Sequence, residues 1–321
     1  MDYAFVSTLP EIIFFSIICN VIAITFIQHK KSRKTLKEKL VFLLCSINLC
    51  QTIGYSIELY AAFTGKIQDV ACQVQAFVIC FSTYTTLGCF VSLTIERYLN
   101  IIYPFKCQVW LNDKFKVAQF LLLPILGGFV LGTPPLLGWG TYGKSRKDST
   151  YCGYEFKGFS DRSFFITVVI CGFGIPFVMA SVCFTRITRE LQRTSSKYKR
   201  RYGRNASISV DSSKRAQEQE IYSIVTGLVY STSWVPFSIV CFLFYFNQHV
   251  PMALEYVSIF MCKSATITSA ILFCLIEKRV RRYTRRKVSE HMLAMAFLPR
   301  WQFVAQKRND SIKLTTDKCC E

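Results

Sequence analysis

Seven apolar stretches occupy this 321-residue chain almost from end to end. They cover about residues 9–28, 40–63, 73–103, 115–138, 162–186, 219–246 and 252–276, and each meets the roughly 20 residues a helix needs to cross a bilayer. Backbone polar groups at membrane depth have no water to bond, so they are paired within helices. The expected fold class is therefore all-α, a seven-transmembrane helix bundle joined mostly by short loops. With 51% hydrophobic residues and 28 Phe, the composition excludes an ordinary soluble domain. The first stretch does not resemble a cleaved signal, because its start is acidic, no small-residue cleavage pattern follows it, and further spans do.

A net charge of +19 invites a nucleic-acid reading, but the distribution argues against it. Of the 39 Lys and Arg, about 32 fall on one side of the membrane or at its edge, which is the positive-inside asymmetry. They cluster at 29–39, 104–118, 186–216 and after Ile276. The expectation is a multi-pass protein of the cell membrane with its N-terminus outside and its C-terminus in the cytoplasm. Basic cytoplasmic loops also suit an anionic inner leaflet. The lipid bilayer is then the expected partner, and nucleic acid is not.

Lys263 stands midway along the last apolar stretch. A charge at that depth costs about 2.5–3.5 kcal/mol on insertion scales unless it is paired or used chemically. Its stem is too short to reach water from the middle of the span, so snorkelling does not account for it. A lysine held in a low-dielectric pocket can form a Schiff base with an aldehyde.

Most of the 15 Cys lie within apolar stretches, where cysteine acts as a small hydrophobe. Cys72, at the outer start of the third span, and Cys152, in the 139–161 outer loop, instead face an oxidising compartment. A bridge between them is chemically open, although spacing alone does not select it. The basic, Ser-rich 187–217 segment is a cytoplasmic loop whose ends continue spans five and six. Asn205-Ala206-Ser207 within it matches a glycosylation acceptor on the wrong side of the membrane. After Ile276 a basic amphipathic helix is expected along the inner surface. The domain division expected is 1–290 for the seven-span region and 291–321 for a cytoplasmic tail, which ends in Cys319 and Cys320, a pair open to S-acylation. No catalytic or metal-ligating constellation stands out.

Glu96-Arg97-Tyr98 ends the third span, and an acid beside an arginine there can satisfy the guanidinium. Alone, the triplet is equally an interface anchor. The 25 residues from Cys72 to Arg97 cover roughly 37 Å of helix, a full membrane crossing. In the sixth span, Pro236 removes a backbone hydrogen bond and kinks the axis, with Trp234 two residues earlier. Pro124, Pro134-Pro135 and Pro176 are further points of kinking or termination. Kinked helices leave room for a cavity, whose candidate walls are Trp234, Phe237, Tyr230 and Phe260; each can equally be core packing.

Together these residues make the chain resemble an animal opsin within the rhodopsin-like class A of G-protein-coupled receptors. Asn20 matches the first-span asparagine of that class, Cys72 and Cys152 its disulfide, and Glu96-Arg97-Tyr98 its arginine motif. The run 134–140 (PPLLGWG) and Tyr151-Cys152-Gly153-Tyr154 resemble the opsin sequence around the second outer loop. Trp234 and Pro236 match the sixth-span motif, and Lys263 falls where opsins carry their retinal-binding lysine. The resemblance covers roughly residues 9–290. It also departs from the pattern. Ser269-Ala270 stands in place of an Asn-Pro motif, with Phe273 where a tyrosine is usual. Asn48 replaces an aspartate, and the fourth span lacks its tryptophan.

The resemblance implies 11-cis-retinal, covalently bound to Lys263 in the dark, with Trp234, Phe237, Tyr230, Phe260 and Gln75 around it. It implies a heterotrimeric G protein meeting Glu96, Arg97 and Tyr98, with arrestin and a receptor kinase as further partners, and no enzyme activity. A protonated Schiff base in an apolar pocket needs an anion. Gln75, three residues after Cys72, is neutral where many opsins have glutamate, and the second family position falls at Arg146, with Asp148 nearer the cysteine. Glu58 is the expected substitute, being the only acid between Val41 and Ala62; some cnidarian opsins are similar in using a second-span glutamate. Glu255, eight residues before Lys263, lies about 12 Å away along the helix and is the runner-up. Two other functions share these features: a retinal photoisomerase, and a receptor for a diffusible ligand.

Overall fold

The computed structural model describes residues 2–29, 34–65, 67–144, 151–202, 232–246 and 248–276. The chain divides into two units, Met1–Phe273 and Cys274–Glu321, and everything below concerns the first. Of the second, only the last three residues of the final helix are described.

The apolar stretches form helices, as a membrane-spanning backbone must. They are α1 (Asp2–Gln28), α2 (Leu36–Thr64), α3 (Asp69–Ile102), α4 (Pro104–Asn112) and α5 (Lys114–Gly132). The fifth span begins at α6 (Phe159–Val168), passes through a π turn (Val169–Gly174) and continues as α7 (Ile175–Tyr202). Then come α8 (Thr232–Tyr245) and α9 (Met252–Ile276). Counting α6–α7 as one continuous helix and setting aside the short loop helix α4, these are the seven helices of a membrane bundle. Among the described residues, five are long and apolar enough to cross by length and composition: Thr8–Gln28, Leu36–Thr64, Asp69–Ile102, Lys114–Gly132 and Phe159–Thr194.

Helix ends follow local chemistry. Thr35 starts α2 with a reciprocal capping box, its Oγ1 accepting from the Glu38 N–H while the Glu38 carboxylate accepts from the Thr35 N–H. Gly65 ends that helix in the left-handed region at φ 68°, where a side chain would be strained. Asp113 caps α5 by accepting from the N–H groups of Lys116 and Phe115, which hold its carboxyl below the ordinary aspartate range. The fourth span is shorter than the expected 115–138. Its helix stops at Gly132, because Pro134 and Pro135 carry no N–H to continue the ladder, and a 3₁₀ turn, Pro134–Leu137, follows. The fifth is longer than 162–186, running from Phe159 to Tyr202. Residues 219–231 of the expected sixth span, the centre of the 187–217 loop, the surface helix after Ile276 and the 290/291 boundary lie outside the described residues.

Two glycines let α3 and α5 approach closely. A Cβ on Gly128 of α5 would lie 2.1 Å from Thr85 Oγ1 and 2.8 Å from the Phe81 carbonyl oxygen of α3, so α3 and α5 touch backbone to backbone there. At Gly88 the neighbour is Pro124, with a Cα 3.0 Å from such a Cβ. The faces turned away from the bundle remain apolar: Phe63, Leu123, Val130 and Phe177 are all well exposed, as lipid-facing residues are.

The loop between α5 and α6 holds a small antiparallel hairpin that the sequence did not lead us to expect. Strand β1 (Tyr142–Lys144) pairs with β2 (Cys152–Tyr154), in the register Tyr142–Tyr154, Gly143–Gly153 and Lys144–Cys152. Cys152 is disulfide-bonded to Cys72 at the top of α3, with the Cα atoms 5.4 Å apart. The Tyr142 hydroxyl donates to the Gly132 carbonyl (2.8 Å), and the Trp139 indole N–H donates to Ser163 Oγ (3.0 Å). The hairpin is therefore tied to α3, α5 and α6.

Candidate functional site

Buried polar residues run along one side of α2. Asn48, Gln51, Thr52, Tyr55 and Glu58 follow helical spacing and are all buried. A stripe of that kind within a span turns toward the bundle interior, where partners can satisfy it. Glu58 ends the stripe, fully buried, and its Oε1 accepts from Lys263 Nζ of α9 at 2.6 Å. The side chains of the pair are 3% and 0% exposed, so water screens this ion pair little. Glu58 Oε2 accepts from Gln75 Nε2 of α3 at 3.3 Å, so both carboxylate oxygens are engaged. Two aromatic faces enclose the ammonium, with ring centroids 5.4 Å away at Tyr55 and 5.6 Å at Tyr151.

Lys263 closes an apolar cavity of about 240 Å³. Its walls come from α2, α3, the hairpin, the α6–π–α7 helix, α8 and α9, and include Trp234, Phe237, Tyr151, Phe165, Phe173 and Ile259. The π turn sets part of this wall, since Val169 and Phe173 both line the cavity, and π segments often occur at functional sites. Gly172 in that turn lies against the Tyr84 ring, and the Tyr84 hydroxyl is hydrogen-bonded to that of Tyr154 in β2. Trp234 meets Phe237 edge-on at 5.8 Å, and Phe237 meets Tyr151 at 6.5 Å.

Not every expected wall residue takes that place. Phe260 is 43% exposed and does not line the cavity. On α9 the lining residues are Ile259, Cys262 and Lys263, spaced as one helical face, and Phe260 is turned some 100° from Ile259. Gln75 reaches the site through Glu58 rather than through the cavity wall. Glu255 is buried on α9 but stands away from the cavity. Tyr230, Arg146, Asp148, Cys319 and Cys320 lie outside the described residues. Tyr55 and Tyr151 were missed from sequence, although Tyr55 falls on the Gln51–Glu58 stripe and Tyr151 adjoins Cys152.

At the other end of α3, Glu96 and Arg97 are both buried and lie 3.8 Å apart as an ion pair. Asn100 Nδ2 donates to Glu96 Oε1 at 2.7 Å, and Arg186 Nη1 of α7 donates to the Tyr98 hydroxyl at 3.3 Å. Between the two ends lies a neutral polar cluster. Asn48 Nδ2 donates to Ser269 Oγ (2.9 Å) and Asn20 Oδ1 (3.1 Å), and Asn20 Nδ2 donates to the Thr266 carbonyl (3.1 Å).

The profile described as "7 transmembrane receptor (rhodopsin family)" matches residues 19–276. The chain is 23% identical over 269 residues to the blue-sensitive opsin of Anolis carolinensis, covering 80% of this chain and 72% of that one. It is 21% identical over 266 residues to the rhodopsin of Lethenteron camtschaticum, covering 79% and 71%. The crystal structure of squid rhodopsin superposes with a TM-score of 0.76 over 91% of this chain and 87% of that one, at 16% identity, a likeness of fold. The chain belongs to the rhodopsin family of seven-transmembrane receptors and is a receptor of the animal opsin type.

Proposed function

We propose that this protein is a light-sensing receptor that holds retinal on Lys263 and signals to a heterotrimeric G protein. One observation carries the reading. A single primary amine stands at the edge of an aromatic, apolar cavity and is paired with a buried carboxylate. Such a site fits an apolar aldehyde: the amine is the group that condenses with it, and the walls suit a polyene. Bound there through a Schiff base, retinal supplies light-driven isomerisation.

The residues of the chain do the rest. Glu58 offsets the positive charge at the Lys263 nitrogen, and Gln75 holds its second oxygen. Tyr55 and Tyr151 turn ring faces to the same cation. Trp234 and Phe237 stand on α8 next to Pro236, a point at which a helix can bend between two packings. Movement of α8 would shift the balance between them and expose the surface around Glu96, Arg97 and Tyr98. The distribution of basic segments supports a cytoplasmic side for that surface and for the C-terminus, with the N-terminus outside. Residues 1–290 form the receptor and 291–321 its tail, where arrestin and a receptor kinase would act on the active state.

The test is reconstitution of the full chain with 11-cis-retinal, a spectrum before and after light, and light-dependent nucleotide exchange on a G protein. Lys263→Ala is expected to abolish capture of retinal by borohydride reduction, and covalent capture by that variant would overturn the reading. Ser269-Ala270, in place of the Asn-Pro hinge, favours a second reading as a retinal photoisomerase. Light-dependent exchange without retinal release excludes it, and release of isomerised retinal without exchange supports it.

A further inference from the structure

Away from the Lys263 cavity, α2 and α5 leave between them a groove of about 490 Å³. Phe42 and Leu43 form one wall, and Ala118, Leu121, Leu122 and Ile125 the other. The α5 residues recur at i, i+3, i+4 and i+7, a single apolar stripe on a helix that crosses the membrane. Leu122 is 47% exposed, so the groove opens toward the lipid.

Its loop-side end is basic. Lys34 precedes Thr35, the N-cap of α2, Lys39 lies in the first turns of that helix, and both line the groove. The same two lysines also line an adjoining cavity of about 450 Å³ whose other walls include the polar Asn100, Gln108 and Asn112. They therefore stand at the junction of an apolar slot and a polar pocket. Lys34 Nζ lies 5.9 Å from the Phe42 ring centroid, with its stem along the groove. The acid in the polar pocket, Glu96, is already engaged by Asn100 at 2.7 Å and Arg97 at 3.8 Å.

We propose that this groove binds one anionic glycerophospholipid of the leaflet on the Lys34 side, with an acyl chain along Leu43, Leu121, Leu122 and Ile125 and the phosphate between Lys34 and Lys39. The charge pattern selects the occupant. Two ammonium groups at the interface attract a headgroup with net negative charge, whereas a choline headgroup would set a third cation beside them. A sterol would use the slot and leave the lysines without a counterpart.

The experiment uses the full chain in nanodiscs containing a trace of phosphatidylglycerol or phosphatidylcholine, each with a diazirine on its acyl chain. Labelled peptides are mapped by mass spectrometry. The α5 peptide should be labelled by the phosphatidylglycerol probe in preference by roughly thirtyfold, the selectivity expected of two near-surface lysines. Lys34→Gln with Lys39→Gln should remove the preference while the rest of the lipid-facing surface labels as before. If that variant fails to fold, Leu122→Trp fills the slot with both lysines intact and should reduce labelling at α5 by the anionic probe alone. Equal labelling by both probes, labelling by a diazirine sterol that phosphatidylglycerol does not displace, or protection of the groove by a second copy of the chain would each overturn the proposal.

Discussion

Asn48 Nδ2 donates a hydrogen bond to Ser269 Oγ at 2.9 Å, so two positions at which this chain departs from the pattern of its family are bonded to each other. An amide has replaced the aspartate and a hydroxyl the asparagine, and the pair forms a neutral contact between α2 and α9. Asn48 also reaches Asn20 and the Thr266 carbonyl, which makes it the centre of the cluster.

That arrangement ranks two substitutions. Ser269→Ala removes one acceptor and leaves Asn48 two others, a cost of about 1 kcal/mol. Asn48→Leu strands the buried acceptors of Asn20 and Ser269 and should cost about 1–3 kcal/mol more in total. Thermal unfolding of the two variants in detergent measures the order. A larger effect from Ser269→Ala would mean that the network is not centred on Asn48.

Glu58 is expected to set the spectrum. With Glu58→Gln, the cation on Lys263 loses its anion, and at neutral pH the visible band should move toward the ultraviolet. Lowering the pH should restore that band, because acid re-protonates the nitrogen. Added chloride should restore part of it by supplying a substitute anion. A Glu58→Gln spectrum and pH titration identical to the parent's would show that Glu58 is structural only.

Removing one member of the buried pair should also destabilise the ligand-free protein. Lys263→Ala leaves Glu58 buried beside Gln75 without its cation, at a cost of about 3–5 kcal/mol. Replacing both, Lys263→Ala with Glu58→Gln, should recover much of that loss. A double variant as unstable as the sum of the single changes would mean that the two side chains do not act on one another.

Neighbouring glycines on α5 should respond in opposite ways. Gly128→Ala forces a Cβ into Thr85 and the Phe81 carbonyl, and overpacking of this kind costs about 1–3 kcal/mol. Gly127 has nothing within 4 Å of its would-be Cβ, so Gly127→Ala should raise stability by about 0.5–1 kcal/mol through helix propensity alone. Unfolding temperatures of the two variants bracket the closeness of α3 and α5.

The disulfide should hold the hairpin over the cavity. Cys152→Ser opens a link between residues 80 apart in sequence and is expected to cost about 2–4 kcal/mol. Hydrogen exchange at the Gly143 and Gly153 amides should rise as pairing of β1 and β2 weakens. Unchanged exchange would mean that the tyrosine contacts alone hold the loop.

Hydrophobicity alone determined the helices, because a span must satisfy its backbone within itself and is marked by length and composition. The same local logic exposed Lys263 and Glu58 as anomalies, since a charge in an apolar stretch is visible without any knowledge of neighbours. Their meeting was not. A distance of 2.6 Å between residues 205 apart depends on how α2 and α9 rotate about their axes, which ridges and grooves along both helices decide. Rotation also turned Phe260 outward and Ile259 inward, one position apart on the same helix. The hairpin over the site, the tyrosine rings around the ammonium and the lipid-facing groove likewise come from several elements at once. Each residue there has an ordinary local context, and only packing brings them to one place.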